Sequence, residues 1–112
     1  MAKKISLKII EGNNIDTIFE LEDDKRYEVR RVPPTGIKDN IDRKLAIFLA
    51  DPEVSKLHAS LTVMSGELIA QDLGSTNGIY VNGKRASKAL ISNNDKLRIG
   101  TTVFLAICVE EN

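Results

Sequence analysis

"DLGSTNGIYVNGKR", residues 72–85, decides the fold. From Gly78 it reads Gly, four residues, Gly83 and Lys84, which are the first seven positions of a nucleotide phosphate loop. That loop requires Ser or Thr next, to hold magnesium, and a helix whose N-terminus faces the phosphates. Here Arg85 stands where the hydroxyl belongs. Ile79, Tyr80 and Val81 are strand formers that run into Asn82-Gly83, a strong two-residue hairpin signal. The stretch predicts a hairpin, and with it a β fold rather than an enzyme that binds nucleotides.

Strand periodicity recurs on both sides of it. "ISLKI" alternates Ile5, Leu7 and Ile9 with Ser6 and Lys8. "LHASLTV" sets Leu57, Ala59, Leu61 and Val63 on one face and His58, Ser60 and Thr62 on the other, and "KLRIG" repeats the alternation. "VFLAICV" is apolar on both faces, as a central strand covered twice would be. Turn signals at Gly12-Asn13-Asn14, Ser65-Gly66, Asn77-Gly78, Asn93-Asn94-Asp95 and Gly100 separate the runs. "IDRKLAIFLA", residues 41–50, fits a helical pattern too, but Asp51-Pro52 stops it at once, which favours a loop and a short buried strand "AIFL". The preceding "RVPPTGIKDNIDRK" reads as an exposed loop. The pattern predicts an all-β sandwich or barrel, and 112 residues suit a single domain over 1–112.

Composition excludes several functions. Sixteen basic and sixteen acidic side chains cancel, so no global field recruits nucleic acid or anionic lipid. Five aromatic residues are too few for a base-stacking platform. One cysteine and one histidine cannot make a metal site, so no metal or other cofactor is expected. Cys108, inside an apolar run, reads as a buried, inert thiol. No segment has the length to span a bilayer or the form of a secretory signal, so a cytoplasmic, monomeric protein is the expectation. Any Ser/His/Asp catalysis would have to use His58, three residues after Ser55, with no nucleophile elbow nearby. A structural, hydrogen-bonded histidine is the better reading.

What remains is a set of anion-friendly residues. Arg31 closes "RYEVRRV", Ser55 and Lys56 precede a strand, and Ser75, Thr76 and Asn77 sit in another loop. A dianionic phosphate calls for a guanidinium fork, an ammonium, hydroxyl donors and backbone N–H groups. Each residue alone serves equally well as a turn former or a solvated charge. Together they supply a phosphate site, provided the fold brings their loops to one end.

In order, "YEVRR", "IFLADPEVSKLHASL", "LIAQDLGSTNGIYVNGKR" and "LISNNDKLRIGTTVFLAI" resemble the forkhead-associated (FHA) family, whose motifs are Gly-Arg, Ser-x-x-His, a "DLGSTNGTxVNG" loop and a "GDxIxIG" strand. The resemblance implies a sandwich of two largely antiparallel sheets whose loops at one end bind phosphothreonine peptides. It implies that Arg31, Ser55, Lys56 and Thr76 hold the phosphate and that Asn77 bonds the peptide backbone. His58, Ser75 and Gly78 would shape the site. Two departures stand out. Arg30 replaces the family glycine, which either redirects the loop or adds an accessory cation. The segment from Arg31 to Ser55 is also longer than the family's. A domain with a spoiled pocket that binds partners independently of phosphate is the alternative.

Overall fold

A computed structural model describes residues 2–33 and 43–111 of the chain. The strands are β1 (Ala2–Glu11), β2 (Ile18–Leu21), β3 (Lys25–Arg31), β4 (Ala46–Leu49), β5 (Ala59–Met64), β6 (Glu67–Asp72), β7 (Ile79–Val81), β8 (Lys84–Ala86), β9 (Lys88–Ile91), β10 (Lys96–Ile99) and β11 (Thr102–Glu111), with a 3₁₀ turn over Arg43–Leu45. They form two sheets, one ordered β2-β1-β11-β10-β7-β8 and the other β4-β3-β5-β6-β9. The pairings are antiparallel except β3 with β4. This is the expected sandwich.

Alternation explains which side chains meet. Ile5, Leu7 and Ile9 from β1 join Val29, Leu61, Val63, Leu68, Leu97, Ile99 and Phe104 in one buried cluster. Each fully buried Leu, Ile or Phe contributes about 1.5–3 kcal/mol, and the Phe19 ring meets Phe104 edge-on at 6.2 Å. "AIFL" is the short strand β4, as its Asp-Pro stop predicts. Hairpins turn at Ser65-Gly66 and Asn82-Gly83, where all four residues have positive φ. That is the type I′ requirement, and at Asn82-Gly83 it confirms the hairpin over the phosphate loop.

Three expectations need correction. β11 is central in its sheet, but its outer face carries half-buried Leu105 and Ile107, and among the described residues no second layer covers it. Cys108 is half-buried rather than buried; partial burial pushes its thiol above the ordinary pKa, outweighing the nearby Lys3 charge. Leu57 precedes β5 and is 36% exposed, so the core-facing row begins at Ala59. Residues 34–42, which hold much of the expected Pro-rich loop and part of the long segment between Arg31 and Ser55, lie outside the described residues.

β3 ends, and β5 and β7 begin, at the same end of the sandwich. The 50–58 loop, the 73–78 loop and the β10–β11 turn lie beside them, and hydrogen bonds join them there.

Candidate functional site

The 50–58 loop takes its shape from Asp51, only 3% exposed. One carboxylate oxygen accepts the Glu53 N–H at 3.0 Å, an aspartate bonding its own chain two residues on. The other accepts the Thr101 N–H at 2.9 Å, the Thr101 hydroxyl at 3.0 Å and the Thr102 hydroxyl at 2.8 Å. Burial works to raise the Asp51 pKa, but these hydrogen bonds prevail and hold it below the ordinary 3.8. Gly100 makes the approach possible. Its φ is +65°, and a Cβ there would lie 2.8 Å from the Asp51 carboxylate and 2.7 Å from Val54. The loop is thereby clamped to the β10–β11 turn.

His58 ties this loop to the next one. It is wholly buried. Nδ1 accepts the Ser55 N–H at 3.0 Å, so Nε2 carries the proton and donates to the Gly78 carbonyl at 2.8 Å. Ser75 braces the second loop from within. Its hydroxyl donates to the Asp72 carboxylate and accepts the Gly78 N–H at 2.8 Å. Thr76 completes the seam by donating its N–H to the Ser55 hydroxyl oxygen at 3.1 Å. Both nitrogens of His58 are committed to backbone, so His58 is not free to act as base for a serine nucleophile.

Arg31 comes to this seam from β3. Its N–H donates to the Ser55 carbonyl and its guanidinium Nη1 to the Val54 carbonyl, both at 3.2 Å. The side chain is therefore turned toward the Ser55 loop. Among the described residues only one guanidinium N–H is used, in that bond, which leaves the rest of the fork for an anion. Lys56 is exposed beside Ser55 and forms no ion pair among the described residues. The Asn77 amide nitrogen donates to the Glu53 carbonyl at 2.8 Å and to its carboxylate at 3.0 Å.

Arg30 does not join the cluster. Successive strand side chains point to opposite faces, so Arg30 lies with Arg26 and Glu28. Its guanidinium donates to Glu28 at 2.7 and 3.1 Å, and Arg26 adds a bond at 3.1 Å. The Arg30 hydrogen bonds hold the Glu28 carboxyl below its ordinary range, outweighing partial burial. The Arg30 guanidinium is thus engaged by Glu28 on its own strand. Its backbone pairs with Phe48 in the strand and has no positive φ.

The fold brings Arg31, Ser55, Lys56, His58, Ser75, Thr76, Asn77 and Gly78 to one end and leaves Arg30 out. Sequence reading missed Asp51 and Glu53, which position the first loop. Their signal was present: an aspartate before proline, two residues from a loop amide. Among the described residues, no three His, Cys, Asp or Glu side chains converge as a metal site would require.

The family model described as "FHA domain" matches residues 40–100, more than half of the chain. The glycogen accumulation regulator GarA of Mycolicibacterium smegmatis is 43% identical over 81 residues, covering 64% of this chain and 51% of that protein. The chain thus spans about half the length of this relative. Among solved structures, the FHA domain of Chlamydia trachomatis CT664 has a TM-score of 0.76 at 28% identity, over 93% of this chain and 96% of that one. Mycobacterium tuberculosis EmbR, solved with a low-affinity phosphopeptide, has a TM-score of 0.75 at 20% identity, over 97% of this chain and 25% of its own.

Proposed function

Because the chain belongs to the FHA-domain family, we propose that its loop end binds phosphothreonine in a partner protein, as a recognition module and not an enzyme. The observation that carries this reading is the direction of Arg31, turned toward the Ser55 loop. Thr76 and Ser55 are already joined there.

Each residue then has a task. The Arg31 fork takes phosphate oxygens in a charge-assisted pair. The Ser55 hydroxyl accepts the Thr76 amide, which leaves its proton to donate to phosphate. Lys56 adds an ammonium and Thr76 a hydroxyl, while Asn77 bonds the peptide backbone. His58, Ser75 and Gly78 hold the two loops at the spacing these contacts require. The threonine methyl, packed in a small pocket, separates phosphothreonine from phosphoserine.

Charge-assisted hydrogen bonds contribute roughly 1.5–3 kcal/mol each. Three or four of them, less the cost of ordering a peptide, give a binding free energy of about −7 to −9 kcal/mol, in the micromolar range. The phosphate loses its second charge below about pH 6, so affinity falls there and with added salt. EmbR, of the same fold, has been solved with a phosphopeptide, which supports the assignment. A role within a cytoplasmic regulator, without metal or cofactor, extends the reading by analogy with GarA.

Titration with a phosphothreonine peptide library and its unphosphorylated counterpart tests the proposal. Binding should require phosphate, and Arg31→Ala or Ser55→Ala should weaken it at least about tenfold. Equal binding of both libraries would instead favour a phosphate-independent interaction domain.

A further inference from the structure

The outer face of the β7-β8-β10 region carries a row of side chains that phosphate recognition does not use. Tyr80 pairs with Arg98 of β10 on one side and with Arg85 of β8 on the other. Ile79, Leu97 and Ile99 point into the core and are wholly buried. Their alternating neighbours Tyr80 and Arg98 therefore stand on the outer face, and Arg85, directly opposite Tyr80, shares it. The Arg98 guanidinium lies over the Tyr80 ring, 4.2 Å from its centroid. Lys96 stands two residues along β10 on the same face.

This row is continuous with the candidate site. Arg85 lies over the backbone of Gly78, where a Cβ would meet its Nε at 2.7 Å. Gly78 directly follows Asn77, so only a glycine lets this cation lie so close to the peptide-binding loop. On the Arg98 side, a surface pocket of about 210 Å³ is lined by Glu53, Asn77, Tyr80, Arg98, Gly100 and Thr101. Glu53 is the acidic residue of that lining, and its carboxylate is already engaged by the Asn77 amide.

The arginines of the row differ from those of β3 in their ion pairing. Arg26 and Arg30 are both paired with Glu28, whereas Arg85 and Arg98 form no ion pair among the described residues. Arg98 is exposed, and with Tyr80 beside its guanidinium the N–H donors are taken up by no hydrogen bond among the described residues. A planar fork held this way suits a carboxylate, which accepts two parallel N–H bonds.

We propose that Arg98, Tyr80 and Arg85 form a second recognition surface, which binds Asp or Glu side chains on one flank of the phosphothreonine, in the same partner segment. This rests on the phosphopeptide reading above and adds a charge preference to it. The surface lies to the Asn77 side of the phosphate cluster, so carboxylates on only one flank can reach it.

Fluorescence anisotropy with three phosphothreonine peptides tests this: one with neutral flanks, one with three glutamates N-terminal to the phosphothreonine, and one with three C-terminal. Glutamates on one flank should tighten binding about tenfold over neutral flanks, the other flank having little effect. Arg98→Gln and Arg85→Gln should each remove about threefold of that gain, and the double variant all of it, with neutral-flank affinity unchanged. Arg31→Ala should weaken all three peptides alike. Equal affinity for all three peptides, or a flank preference that survives in the double variant, overturns the proposal while leaving phosphothreonine recognition standing. If no phosphorylated peptide binds the unaltered chain, both readings fall. Both arginines are exposed on strands, so thermal melting of the variants should match that of the unaltered chain.

Discussion

Two Asn-Gly pairs five residues apart differ in almost everything except composition. At Asn82-Gly83 both residues have positive φ, and a Cβ on Gly83 would meet nothing within 4 Å. The turn is made by its own dihedrals, and Asn82 adds bonds to Asp95 and the Lys96 N–H. At Asn77-Gly78 only the glycine has positive φ. Gly78 is buried beneath Arg85, gives its carbonyl to His58 and its N–H to Ser75, and Asn77 reaches across to Glu53. The first turn reverses a hairpin. The second is held by residues up to 24 positions away, and that is the one beside the candidate phosphate site.

If the Asn77-Gly78 turn depends on tertiary partners, removing them should cost far more than altering the hairpin. The largest effect is expected for His58→Ala. It leaves the half-buried Ser55 N–H and the buried Gly78 carbonyl unpaired and opens a cavity, costing about 3–5 kcal/mol in denaturant unfolding. A loss below about 1 kcal/mol would break the contrast.

Asp51 comes next, because it clamps the loop from which Glu53 holds Asn77. Its pKa is depressed in the folded chain. Its contribution is therefore complete above the ordinary carboxylate value and is lost as pH falls through and below it. The unaltered chain should lose stability on acidification, and Asp51→Asn should be less stable at neutral pH by about 2 kcal/mol, with a shallower acid dependence. An unchanged acid dependence would show that Asp51 is not the group responsible.

The two glycines sharpen the comparison directly. Gly78→Ala meets both an unfavourable φ and the Arg85 guanidinium and should cost about 2 kcal/mol. Gly83→Ala meets the φ penalty alone, about 1 kcal/mol. Equal losses, read from melting in parallel, would mean that Arg85 moves aside without cost. Asn82→Ala should be the mildest, about 0.5–1 kcal/mol, with no effect on phosphopeptide affinity.

Much of the fold was legible because strand alternation is a local property. Ile5, Leu7, Ile9, Leu97 and Ile99 are core residues in both pattern and structure. "AIFL" was readable because Asp-Pro interrupts a chain wherever it occurs. Leu57 misled because alternation does not state where pairing ends. Asp51 went unseen because its partners Thr101 and Thr102 are about 50 residues away. The motif resemblance named Arg31, Ser55 and Asn77, but it could not say which way Arg30 points.

By itself the sequence determined that the chain is all-β, a sandwich or a barrel, that Asn82-Gly83 is a hairpin and that basic and acidic charges balance. These follow from side-chain period, local dihedral preference and net charge, none of which needs a distant partner. Tertiary structure alone decided that Arg31 turns toward Ser55 while Arg30 is spent on Glu28. It also decided that His58 joins two loops and that Arg85 and Arg98 flank Tyr80 beside the candidate site. Those outcomes depend on strand register and on loops meeting across the ends of two sheets.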